Sequence, residues 1–154
     1  MHHDHSAEIT TLNTLTATLI DSVKGYENSA KLIEGQQFAE MFRKRADERQ
    51  QSVEQLRGEV RRLGGDPEDG GSFIGGVHQR FEDLKAAITG NDNKAVINEI
   101  ERGEDYLKEK FETALGSDTL SGESRAVVEK AFQSVRDGHD QMSQLKHGME
   151  GTNA

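Results

Sequence analysis

Apolar residues fall at steps of three and four along most of the chain, the spacing that lays a single stripe down an α-helix. The first stripe runs through Ile9, Leu12, Leu15, Leu19, Val23, Tyr26 and Ala30. Ser6 is placed to cap its start, with Glu8 in the first turn where a negative charge suits the helix dipole. Glu34-Gly35-Gln36-Gln37 interrupts the pattern. A second stripe carries Phe38, Phe42, Ala46, Arg49, Val53, Leu56, Val60 and Leu63, and Gly64-Gly65-Asp66-Pro67 stops it, since glycine and proline suit a helix end and weaken a helix interior. The glycine-rich stretch from Gly64 to Gly76 leads into a shorter pattern, Val77, Phe81, Leu84 and Ile88, closed by Gly90. Asn91 or Asp92 can cap a fourth stripe of Val96, Ile97, Ile100, Glu104, Leu107, Phe111 and Ala114, ended by Gly116. The fifth runs from about Ser121 through Val128, Phe132, Val135, His139, Met142 and Leu145 to Gly148.

The β-branched residues follow these helical steps and nowhere alternate, so no strand is predicted and the fold class is all-α. Four long amphipathic helices with one long middle connection, itself holding the short third helix, predict a four-helix bundle with a crossover. Short links at Gly35 and Gly116 make antiparallel hairpins of helices one and two and of helices four and five; helices two and four then run parallel. One domain is expected over residues 6–148, flanked by flexible tails at 1–5 and 149–154.

Composition narrows the partners. Of 154 residues, 32% are hydrophobic and 31% charged, so a core forms only because the apolar positions are aligned. The net charge of -9 repels a phosphate backbone, and no dense basic patch offsets it, so nucleic acid is not expected as a partner. No apolar run is long enough to span a bilayer, and the start His2-His3-Asp4-His5 has no signal-like segment behind it. The expectation is a cytoplasmic protein without a membrane partner; a homo-oligomer fits as readily as a monomer, and no protein partner can be named. With no cysteine, disulfides, thiolate zinc sites and cysteine nucleophiles are excluded. No G-x-S-x-G elbow or phosphate-cradling glycine loop occurs, which leaves hydrolase and nucleotide-binding readings without a foothold.

The chemistry worth weighing lies where polar residues interrupt the stripes: Arg49, Glu104 and His139. A charge facing a core costs several kcal/mol unless it is paired. Parallel second and fourth helices starting near Gln36 and Asp92 bring Arg49 level with Glu104, which predicts an internal ion pair. Antiparallel pairing across Gly116 places Glu104 level with Phe132 and His139 level with Ile97, and the same construction puts Glu27 near Met41 and Ile97. Glu27, Glu101, Glu104 and His139 then lie within a few turns of one another, hard donors suited to Fe, Mn or Zn. A di-iron or di-manganese site, however, needs Glu-x-x-His pairs that put two ligands on one helix face, and this chain has none: residue 136, three before His139, is Arg. The plainer reading is a polar core network of Arg49, Glu104 and neighbouring carboxylates, with no cofactor. His78, alone on the short third helix, reads as a hydrogen-bonded packing residue. Met1-His2-His3 could enclose Cu(II) or Ni(II) in a square plane, or be a solvated tail.

Several segments together resemble a known family. Leu63-Gly64-Gly65-Asp66-Pro67, Gly76-Val77-His78-Gln79-Arg80 with Asp83-Leu84-Lys85 and Thr89-Gly90, Glu101-Arg102-Gly103-Glu104-Asp105, and Val135 to Gln141 with its His139-Asp140 pair are similar to an uncharacterised bacterial family of ferritin-like four-helix-bundle proteins labelled as a domain of unknown function. The resemblance spans about Leu12 to Leu145, and Glu101 to Asp105 is its most specific motif. It implies a ferritin-like bundle with the short helix in its crossover. The wider superfamily holds oxidases, iron stores, manganese catalases and metal-free members, so little follows about activity, and the missing Glu-x-x-His pairs weigh against ferroxidase or catalase chemistry. The expected function is therefore a non-catalytic, stress-associated or interaction role around a degenerate polar centre, the stress association coming only by analogy with relatives. The alternative is a metal-dependent redox or storage protein using Glu27, Glu101, Glu104 and His139.

Overall fold

A computed structural model describes residues 5–68 and 93–152, with side chains through residue 148. Within them the chain forms α1 (Ser6–Leu32), α2 (Gln36–Arg62), α3 (Asn93–Gly116) and α4 (Gly122–Thr152), and no strand. The expected short third helix with His78 and Phe81, the caps Asn91 and Asp92, and the terminal Met1-His2-His3 lie outside the described residues.

Each of the four long stripes forms a helix, and the departures are at the ends. Ser6 is the first helical residue, and His5 holds the cap position without a side-chain cap bond; its Nδ1 lies 3.4 Å from Glu8 instead. Gly35, Gly64 and Gly122 take positive φ at the links, which is where glycine's freedom is used. Gly148 does not end α4, which runs on to Thr152. A glycine weakens a helix interior by about 1 kcal/mol, which by itself does not end a helix.

α1 packs on α2, α3 on α4, α1 on α3 and α2 on α4, so the helices stand at the corners of a square with α2 and α3 on one diagonal. Two asparagines fix the directions. Asn93, at the start of α3, accepts a hydrogen bond from the backbone N of Glu34 at 2.7 Å and donates to its carbonyl at 2.8 Å, tying that start to the turn between α1 and α2. α2 and α3 therefore begin at one end and run parallel, as the crossover reading requires. The end of α2 and the start of α3 are therefore separated by the length of the 27 residues of α2, about 40 Å at the helical rise. At the opposite end Asn13 of α1 holds the carbonyl of Asp66 and the N–H of Glu68 at 3.0 and 2.8 Å. Gly65 sits there so close to Ile9 that a Cβ would lie 2.8 Å from its Cγ2.

The core between the helices is made of the predicted stripes. Leu12, Leu15, Leu19, Phe42, Val53, Leu56, Val60, Ile97, Leu107, Phe111, Val128, Val135 and Met142 are all out of water, and burying each stabilises the fold by about 1.5–3 kcal/mol. Among the described residues no helix is long and apolar enough to cross a membrane.

Candidate functional site

All four helices contribute to one polar centre on the bundle axis. Arg49 of α2 and Glu104 of α3 reach across the diagonal as a fork: Nη1 donates to Oε1 at 2.6 Å and Nη2 to Oε2 at 2.7 Å. Their side chains are 0% and 2% exposed. Nη1 also donates to Ser22 Oγ of α1 at 2.7 Å, and the guanidinium lies 5.6 Å from the centre of the Tyr26 ring, which meets Phe42 edge-on. α4 contributes an absence of side chain. Gly138 is buried against the pair, and a Cβ there would collide with Arg49 Nη2 and stand 2.9 Å from Glu104 Oε2.

The electrostatics are those of a closed pair. Burial by itself would lower the Arg49 pKa, but the Glu104 carboxylate more than reverses this and holds it above its ordinary value. Tyr26 is pushed well above the usual tyrosine range, first by burial and then by the negative charge of Glu104. Its hydroxyl lies near that carboxylate but outside hydrogen-bonding geometry, and Arg49 Nε likewise has no partner. Two charge-assisted bonds in a fixed plane give the fork both strength and direction.

The predicted Arg49–Glu104 pair is thus present, and the other candidate ligands go elsewhere. Glu101 accepts from Lys146 Nζ at 3.0 Å on the seam between α3 and α4. On the same seam His139 places Nε2 at 2.6 Å from Asp105 Oδ1 and Nδ1 at 3.4 Å from Asp140 Oδ1. Glu27 is exposed on α1. Among the described residues, no three His, Asp or Glu side chains form a group that could hold a metal ion. The three acids of the Glu101–Asp105 motif instead take one basic partner each: Lys146, Arg49 and His139.

The α3–α4 register differs from the one expected of a tight turn at Gly116. Residues 117–121 intervene, and Arg125 closes this longer link by donating to the carbonyls of Leu115, Ser117 and Leu120 at 2.9, 3.0 and 3.2 Å. The longer link brings Gly138, not Phe132, to Glu104, and Asp105, not Ile97, to His139. Phe132 stacks on Phe111 with centroids 6.0 Å apart. Gly138 is not among the residues that the stripes single out; a glycine inside a long helical run can mark a close approach, but Gly25 and Gly58 mark none, so the signal is weak.

A second polar cluster joins the end of α2 to the start of α4. Glu59, 6% exposed, accepts from Arg62 Nε at 2.8 Å and Nη2 at 2.5 Å and from the buried Ser124 hydroxyl at 2.7 Å. Arg62 also reaches Glu123 at 2.9 Å. The Arg62 hydrogen bonds, aided by Ser124 and opposed by burial, hold the Glu59 carboxyl below its ordinary value.

Residues 7–117 match the family described as Domain of unknown function (DUF2383). The chain belongs to that family. The DUF2383 match takes in α1, α2 and α3, and with them Ser22, Tyr26, Arg49 and Glu104; it ends before α4 and Gly138, short of the Leu145 to which the resemblance extended. Among curated proteins none matches this DUF2383 chain.

Proposed function

We propose that the protein is a ferritin-like bundle with a non-catalytic role, an interaction or stress-associated protein that acts through its outer surface. The observation that carries this reading is the Arg49–Glu104 fork. In ferritin-like dimetal proteins the bundle centre holds carboxylates and imidazoles that converge from all four helices on two cations. Here a guanidinium already neutralises the central carboxylate and uses both of its oxygens. A metal ion would have to displace Arg49 and leave that cation buried and unpaired, which costs several kcal/mol. The family resemblance supports the bundle type, and the stress association rests on it alone.

Aerobic Fe(II) oxidation followed by stopped-flow absorbance tests this, together with the metal content of protein purified without chelators or affinity metal. The expected rate equals the uncatalysed background. A saturable Fe(III) signal at about two irons per chain, lost in Glu104→Gln while the helical content is unchanged, would overturn it. Glu27, Glu101, Glu104 and His139 would then be the ligands to pursue, with Fe, Mn or Zn as the ion.

A further inference from the structure

Gly103 lies in the interior of α3, exposed, with nothing within 4 Å of the position a Cβ would take. A helix loses about 1 kcal/mol at such a glycine relative to alanine, and among the described residues none packs on it as Arg49 packs on Gly138; Gly25 and Gly58 are equally open inside α1 and α2, but neither lies beside an exposed aromatic ring. Three residues on, Tyr106 is the only large hydrophobic side chain exposed among the described residues. Glu99, Gly103, Tyr106 and Lys110 follow steps of four, three and four, so they share one strip of the helix, with Arg102 and Glu109 along its border.

We propose that this strip of α3 docks antiparallel on the same strip of a second copy of the chain, each Tyr106 seated on Gly103 of the other copy. The sequence is self-complementary about the point midway between Gly103 and Tyr106. An antiparallel helix pair centred there sets Gly103 against Tyr106 and Glu99 against Lys110, and on the border brings Arg102 to within two residues of the level of Glu109, within reach of its long side chain. Every facing charge meets its opposite, and the largest side chain meets the smallest. A two-fold contact requires this kind of self-matching surface, and an antiparallel coiled pair uses charges flanking its seam in this way to fix orientation. The groups are available. The exposed Arg102 is otherwise held only by the half-buried Glu99 within its own turn, at 2.5 Å, and Lys110 lies 5.3 Å from the centre of its own Tyr106 ring; surface contacts of this kind stabilise little and exchange readily. One helical strip per copy is a small interface, so the dimer is weak and concentration-dependent. The surface does not involve the polar centre, and the two readings stand or fall separately.

Sedimentation velocity over a concentration series tests the proposal, with circular dichroism confirming helical content. Dimer is expected to grow with concentration. Gly103→Gln fills the notch while favouring helix, and should weaken association about tenfold or more, as should Glu99→Lys, which faces Lys110 of the other copy with a like charge. Glu99→Lys combined with Lys110→Glu reverses both facing pairs and should return the affinity to within about twofold of the original. A monomer at every concentration overturns the proposal. So does a dimer indifferent to Gly103→Gln, or a double charge reversal as weak as Glu99→Lys alone.

Discussion

Arg49–Glu104 and Arg62–Glu59 are the same chemical pair in two settings. The first joins two helices across 55 residues of chain and is closed to water on both sides. The second joins residues three apart on one helix, and its guanidinium is 49% exposed although its carboxylate is buried. Water can therefore take over one half of the second pair if the other half is lost, and neither half of the first. Exposure of the partner, not the strength of the bond, decides whether losing one residue strands a charge.

The most direct way to break this comparison is to cut each pair. Arg49→Met or Glu104→Leu should each cost about 3–5 kcal/mol, and the double variant much less than the two together, because it leaves no charge behind. Chemical denaturation of the three variants measures it, and strictly additive losses would contradict an internal pair. Gly138→Ala sharpens the same point from the opposing helix. Alanine should favour the helix by about 1 kcal/mol, yet it intrudes on the guanidinium and should destabilise by about 1–3 kcal/mol overall. In the Arg49→Met/Glu104→Leu background the obstacle is gone, and the same change should become neutral or stabilising.

Titration tests the centre without altering its charges. The raised Tyr26 pKa means that the neutral phenol's contribution to stability is complete below the ordinary value of 10.0 and is lost as pH rises above it toward the folded value. In Tyr106→Phe, which leaves Tyr26 as the chain's one tyrosine, tyrosinate absorbance should appear together with loss of helix; tyrosinate forming while the helices persist would show Tyr26 open to water. The end cluster should respond least, and in acid. Its depressed Glu59 pKa contributes stability above the ordinary 4.5 that fades as pH falls through the folded value. The stability difference between the native chain and Arg62→Ala, which leaves the buried Glu59 with Ser124 alone, should therefore shrink below about pH 4.5, and denaturation at a series of acid pH values that found it constant would remove Glu59 from the account.

The stripes made the helices and the central pair legible because burial on one face of a helix repeats with the helical period. Arg49 and Glu104 stood out as charges on those stripes at matched depth, and parallel helices have only to start together for such residues to meet. What sequence spacing could not supply was the length of the turned link between α3 and α4. It left His139 on an internal layer, whereas the structure pairs it with Asp105 at the α3–α4 seam, 19% exposed. Glu27 and Glu101 were grouped with Glu104 by height along the bundle, and height says nothing about which way a side chain faces around its helix. Gly138 carries no side chain to show its use; only the guanidinium lying against it does.

The fork also settles how far the two hairpins may slide. Leucine, valine and alanine stripes look much alike to each other after a shift of one helical turn, about 5.4 Å, and apolar contact has no preferred direction. A core built of such stripes alone would grip at several neighbouring settings with similar energy. Arg49 and Glu104 hold only one of them, since any other leaves both charges in oil with no partner. The pair works like the index pin of a lathe: it adds little to the hold between the sliding parts, and it determines the one notch at which they stop.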